Sequence, residues 1–126
     1  MAKIMIAEDE GDIRDLISFT LTYAGYQVLS FPNGEELYIA VENEMPDLIL
    51  LDVRMPVMNG YETCAKIKSN PVIKDIPVVF LSAKGQESEI QAGFDSGAIE
   101  YLLKPFAPEE LVQRVNELLS QSGISE

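Results

Sequence analysis

Leu48, Ile49, Leu50 and Leu51 run four apolar side chains without interruption into a carboxylate, Asp52. A strand with one face in water alternates apolar and polar residues, whereas a strand covered on both faces reads as a continuous apolar run. The segment therefore suits the interior of a parallel sheet. Pro56 cannot donate to a ladder and Gly60 favours a turn, so the strand is expected to stop close to Asp52. The fold must then explain why a carboxylate stands at the tip of so apolar a segment.

Similar short apolar segments recur along the chain. Strands are predicted at 3–7, 26–31, 48–52, 76–81 and 99–103, with helical periodicities between them. The first helix is predicted to start with Asp12 as its N-cap. It places Ile13, Leu16, Ile17, Thr20, Leu21 and Ala24 on one face and stops at Gly25. Asn33 is the expected N-cap of a helix carrying Leu37, Ala40 and Val41. A third helix is predicted from Gly60 to Ser69, where Asn70-Pro71 breaks it, and a fourth from Glu87 to Ser96. The last helix starts at Pro108, with Glu109 and Glu110 at its positive end and Leu111, Val115 and Leu118 facing inward. Five βα units imply a doubly wound α/β domain over residues 1–126, with helices on both faces of the sheet. Residues 120–126 read as a frayed tail.

Charge and composition narrow the function. With 9 basic and 21 acidic residues the net charge is −12, which argues against direct nucleic-acid binding and suits cations or basic partner surfaces. The lack of histidine and the single Cys64 exclude an internal disulfide and a zinc site of the usual composition. Cys64 reads as a small buried hydrophobe. No apolar run approaches the ~18 residues of a membrane span, and the opening segment is too short for a signal peptide. A cytoplasmic protein without membrane insertion is the expectation.

Ligands of open α/β sheets sit beyond the carboxyl ends of the strands. Those ends supply Glu8 and Asp9, then Asp52, Ser82 and Lys104. Taken singly, a strand-end Asp is a turn residue, Ser82 a cap, a Lys before Pro a surface residue, and Glu10 a solvated acid. Five such residues at the ends of four strands form a pattern that these separate readings do not cover. Alternation sends Glu8 and Asp9 to opposite faces, so both reach one site only where the chain is already curling out of its strand. Two carboxylates ~5 Å apart at an effective dielectric of ~20 repel by about 3 kcal/mol. A Mg²⁺ ion takes hard oxygen ligands, and together with Lys104 it would neutralise three carboxylates. An aspartyl phosphate of charge about −2 at Asp52 would leave the site near −1, which is tolerable. Phosphoryl transfer is mostly positioning and charge neutralisation, and these parts suffice for it.

The stretches AEDE, LLDVRMPVMNGYE, VVFLSAKGQ and EYLLKPF together resemble a response-regulator receiver domain of two-component signalling, over Lys3 to Ser120. The resemblance implies a flavodoxin-like (βα)5 fold with strand order 2-1-3-4-5. It implies that Asp52 is the phosphoacceptor and that Glu8, Asp9, Asp52 and the Arg54 carbonyl bind Mg²⁺. Lys104 and Ser82 would contact the phosphoryl group as the other catalytic residues, Ser82 and Tyr101 would form the switch, and Lys104–Pro105 would be cis. A histidine kinase or phosphotransfer protein would donate the phosphoryl group, and a downstream protein would read the surface of the fifth strand and last two helices. The product stays on the protein, so the chain is not expected to be an enzyme in the turnover sense.

Some positions depart from the family pattern. Glu8 precedes Asp9 where many members carry two aspartates, and Ser82 stands where threonine is frequent. Ile99 replaces an acid used in some dimer contacts, so a monomer or a weak phosphorylation-dependent dimer is expected. Without an effector segment in the sequence, the resemblance is to a stand-alone receiver. Arg54 and Lys84 flank the site. A flavin carrier on the same fold is disfavoured by the acidic loop EDEGD, and a phosphatase by Arg54 where a second acid would stand. A receiver-like module that is never phosphorylated is disfavoured by the full set of site residues.

Overall fold

The computed structural model describes residues 2–55, 58–83, 100–104 and 107–121. Strands β1 (Lys3–Ala7), β2 (Gln27–Phe31), β3 (Leu48–Asp52), β4 (Val78–Ala83) and β5 (Glu100–Lys104) form one parallel sheet. Their order is β2-β1-β3-β4-β5, the flavodoxin-like order. The described helices are α1 (Gly11–Tyr23), α2 (Gly34–Glu44), α3 (Gly60–Lys68) and α4 (Pro108–Gln121). The helix predicted over 87–96, Lys84, Ile99 and Pro105 with the bond preceding it lie outside the described residues.

Each face of the sheet carries its own apolar layer. On one, Ile4, Ile6, Leu48, Leu50, Val79, Leu81 and Leu102 pack with Ile17 and Leu21 of α1 and Leu111, Val115 and Leu118 of α4. On the other, Met5, Ala7, Ile49, Leu51, Val78 and Phe80 pack with Leu37 and Val41 of α2 and Cys64 and Ile67 of α3. All five residues of β3 are buried, so its side chains meet apolar partners whichever way they point. Burial on that scale stabilises by roughly 1.5–3 kcal/mol for each Leu or Ile. It makes β3 a firmly held central strand and Asp52 its fixed end.

Element boundaries differ from expectation where backbone groups found other partners. Glu10, not Asp12, is the N-cap of α1: it is extended at φ −82°, ψ 114°, and its carbonyl accepts from the Arg14 N–H at 2.9 Å. Asp12 lies in the first turn, where its charge favours the positive end of the helix. The inward line of α1 is Ile13, Ile17 and Leu21, while Leu16 and Ala24, expected to face inward, are exposed. Strand β2 starts one residue late because the Tyr26 N–H returns to the Leu21 carbonyl at 3.1 Å, and the Tyr26 hydroxyl bonds Asn116. Strand β4 starts at Val78 because Pro77 has no N–H and offers only its carbonyl, to Ile49 at 3.0 Å. Asn33 caps α2 as expected, accepting from the Glu36 N–H at 2.8 Å. Helix α4 continues through Gln121, past the start of the expected tail.

The connection from α3 to β4 is held by Lys68, whose ammonium donates to the Lys74 and Ile76 carbonyls at 2.9 and 2.6 Å. Burial pushes its pKa below the usual lysine value, against the opposing pull of Cys64 and Asp75. Among the described residues no helix is long and apolar enough to cross a membrane.

Gly25 closes α1 with φ at 104°, a conformation that side chains resist. Gly25→Ala is expected to lower stability by about 1–2 kcal/mol, read as a lower urea midpoint at unchanged slope. An unchanged midpoint would mean that the turn can relax without loss.

Candidate functional site

Strand β1 leaves the sheet at Ala7. The Glu8 N–H still bonds the Phe31 carbonyl of β2 at 3.1 Å, and the chain bends at Asp9. That bend supplies the curl needed for two successive acids to reach one place. Asp52 ends β3 opposite Leu81 of β4. One carboxylate oxygen from each of Glu8, Asp9 and Asp52 lies within 4.8 Å of the others. Glu8 is fully buried and Asp52 is 7% exposed, while Asp9 faces solvent. Each pair at such a separation repels by about 3 kcal/mol at an effective dielectric of ~20.

Local hydrogen bonds hold the acids in place. The Glu10 N–H donates to Glu8 Oε2 at 3.2 Å, and Arg14 Nη1 of α1 donates to the Glu8 carbonyl at 2.8 Å. On the other side, α3 starts directly against the Asp52 backbone. The Gly60 N–H bonds the Val53 carbonyl at 2.9 Å, and the Val53 N–H bonds Leu81 of β4 at 3.2 Å. A Cβ on Gly60 would overlap the Asp52 carbonyl oxygen and come within 3.0 Å of Val53 Cα, so only glycine permits this approach. Asn59 and Glu62 close a reciprocal capping box over the first turn, each bond 2.9 Å long. The Thr63 hydroxyl adds a 2.9 Å bond to the Asn59 carbonyl. The segment Asn59-Gly60-Tyr61-Glu62 thus fixes α3 to the end of β3. Asn-x-x-Glu is a sequence signal for that cap, and a helix predicted from Gly60 by periodicity does not use it.

The remaining candidates lie around this cluster. Arg54 is exposed two residues beyond Asp52. Ser82 pairs with Leu103, and Lys104 with Ala83, at the carboxyl ends of β4 and β5. Those ends lie beyond the row that joins Asp52, Leu81 and Leu102. The side chains of Ser82 and Lys104 lie outside the description. Tyr101 is half-buried on the same side of the sheet as α2 and α3, its ring tilted against Phe80 at 5.3 Å. Its hydroxyl donates to the Tyr61 hydroxyl at 3.2 Å, and Tyr61 packs edge-on against Phe80 at 5.0 Å. Tyr61 and Phe80 were not among the residues that sequence reasoning singled out.

The three carboxylates fit a divalent cation by the chemistry of their donors. All are hard oxygens, with no nitrogen or sulfur ligand among them, which suits Mg²⁺ better than zinc. Glu8, Asp9 and Asp52 would hold it, and its charge would offset theirs. Asp9→Asn removes one ligand charge and should weaken Mg²⁺ binding by more than about tenfold in a calorimetric titration. Glu10→Gln, whose carboxylate is exposed, should change it by less than about twofold. Equal losses would overturn this ligand set.

The family model for the response regulator receiver domain matches residues 4–116. The phosphate regulon transcriptional regulatory protein PhoB of Pseudomonas aeruginosa is 38% identical over 120 residues, covering 95% of this chain and 52% of PhoB. RpaA of Synechocystis, a DNA-binding dual master transcriptional regulator, is 39% identical over 122 residues, covering 97% of this chain and 51% of RpaA. The chain thus spans about half the length of the curated relatives it matches. Among solved structures, a putative response regulator from Chloroflexus aurantiacus superposes with a TM-score of 0.90 at 35% identity, covering 94% of this chain and 98% of the other. The chemotaxis protein CheY4 of Vibrio cholerae gives 0.88 at 33% identity, covering 93% and 98%.

Proposed function

Because this chain belongs to the response regulator receiver domain family, we propose that it is a phospho-accepting switch with Asp52 as the acceptor. Receiver domains are phosphoacceptors of two-component systems and not turnover enzymes. In this reading a histidine kinase or phosphotransfer protein presents a phosphohistidine to the end of β3. An Asp52 carboxylate oxygen attacks phosphorus, the P–O bond forms, and the P–N bond to the imidazole breaks. Glu8, Asp9, Asp52 and the Arg54 carbonyl would hold a Mg²⁺ ion, which would supply positive charge to the transferring oxygens. In the same reading Lys104 would offset charge on the phosphoryl group, and the Ser82 hydroxyl would donate to one of its oxygens.

The observation that carries the reading is the convergence of Glu8, Asp9 and Asp52 within 4.8 Å at the carboxyl ends of β1 and β3. Ser82 and Lys104 stand at the ends of the next two strands in the sheet. Buried acids of one sign are rarely gathered without a function, because desolvation and repulsion both act against them. The rigid β3 and the capped start of α3 hold the Asp52 backbone still, which is the positioning that phosphoryl transfer depends on.

Output follows from the switch. A hydrogen bond from Ser82 to a charged phosphoryl oxygen contributes ~1.5–3 kcal/mol, enough to shift a two-state ratio by roughly 10- to 150-fold. Tyr101 responds, and the surface formed by β5 and the last two helices changes for a downstream protein in the cytoplasm. The net charge of −12 favours a protein partner over direct contact of this domain with nucleic acid. The domain acts as a monomer or as a weak dimer formed on phosphorylation.

Incubation with acetyl phosphate and Mg²⁺ should add one phosphoryl group by intact-mass analysis. The adduct should be absent from Asp52→Asn and absent after chelation. Equal labelling of the Asn variant would overturn the assignment of Asp52.

A further inference from the structure

We propose that Tyr61 is a positioning residue for Tyr101, forming a second arm between the Asp52 backbone and the responding ring. The inference rests on the reading of Asp52 as phosphoacceptor and of Tyr101 as the residue that responds, and it adds a connection which that reading does not contain.

The connection starts at the acid itself. Gly60 sits so close to Asp52 that no Cβ fits between them, and its N–H is bonded to the next carbonyl, Val53. Tyr61 follows Gly60 directly, within a first turn stiffened by the Asn59–Glu62 capping box and the Thr63 hydroxyl. A change in the backbone at 52–53 therefore moves Gly60, and the capped turn carries Tyr61 with it as one body. There is little slack in this linkage, since close-packed backbone contacts do not compress.

At its other end Tyr61 meets Tyr101. The Tyr101 hydroxyl donates to the Tyr61 hydroxyl at 3.2 Å. Both rings lean on Phe80, which is fully buried and pairs in register with Leu51 on one side and Tyr101 on the other. Phe80 is thus a fixed floor, and the two tyrosines are half-buried above it with their hydroxyls joined. Tyr101 stands on β5, the last strand in the sheet order, which among the described residues has β4 as its one neighbouring strand. The Tyr61 hydroxyl gives that ring a partner on α3, a helix that is itself tied to Asp52. Shifting Tyr61 lengthens or shortens this bond and changes how readily Tyr101 turns. The path through Ser82 and the path through Tyr61 then converge on one side chain.

Tyr61→Phe tests this, because it removes the acceptor hydroxyl and keeps the ring on Phe80. Protein labelled with 3-fluorotyrosine is titrated with beryllofluoride and Mg²⁺, following the Tyr101 fluorine signal and the Gly60 amide. In wild-type protein both should respond. In Tyr61→Phe the Gly60 amide should respond as before, while the Tyr101 ring equilibrium between its two positions should change by about 2- to 12-fold, the range for one neutral hydrogen bond. Tyr101→Phe provides the reciprocal test: read at the Phe80 amide, which each single substitution should shift, adding Tyr61→Phe in that background should have no further effect. A Tyr101 response identical in wild type and Tyr61→Phe would overturn the inference while leaving the phosphoacceptor reading intact, and so would additive effects of the two substitutions. A Gly60 amide that ignores beryllofluoride in wild-type protein would likewise overturn the inference, whereas beryllofluoride that shifts no amide near Asp52 would overturn the phosphoacceptor reading.

Discussion

Mutual repulsion among Glu8, Asp9 and Asp52 is the constraint around which this end of the molecule is built. Two of the three are buried, and all offer oxygen atoms within 4.8 Å of one another. Left to relax, such a group would spread apart. The fold prevents this by mounting the acids on elements that cannot easily move. Strand β3 is buried along its whole length, Glu8 keeps a ladder bond to β2, and α3 is capped against the Asp52 backbone. Arg14 and the Glu10 N–H pin Glu8 from the side of α1. Stability invested in the core is thereby used to hold charges where they are least comfortable, a common signature of a functional site.

The same architecture explains how a local event can reach a distant surface. A sheet with apolar layers on both faces is densely packed and leaves its interior little room to rearrange. Its carboxyl edge is different, because the side chains there meet loops and helix starts. Asp52, Gly60, Tyr61, Phe80 and Tyr101 follow one another in contact order from the centre of the sheet to its last strand, with Phe80 and Tyr101 one register row inside Asp52. In the proposed switch, output at β5 would leave the packing of the core in place.

Much of this was legible in the residues. The uninterrupted run 48–51 predicts a strand covered on both faces, and all five residues of β3 are buried. Asn33 and Gly25 announce the ends of their helices through local chemistry, and both act as expected. Strand order came from resemblance, since apolar runs say nothing about which strands are neighbours. Local reasoning failed where the deciding partner was remote or backbone-only. Asp12 has the side chain of an N-cap, but the Glu10 carbonyl and the Arg14 N–H start α1 earlier. Leu16 fits the helical stripe by spacing, yet it falls outside the line Ile13, Ile17 and Leu21 and shares an exposed edge with Phe19 and Tyr23. Tyr61 and Tyr101 meet across 40 residues of sequence, so no local pattern could have paired them.

If the acids are held together against their repulsion for the sake of a cation and a phosphoryl group, removing one charge should stabilise the empty protein. Urea unfolding of wild-type protein and Asp52→Asn, each in chelator and in saturating Mg²⁺, measures this directly. Asp52→Asn should be more stable than wild type in chelator, and Mg²⁺ should raise the wild-type midpoint by clearly more than that of the variant. A variant that is less stable in chelator, with both proteins stabilised equally by Mg²⁺, would contradict this.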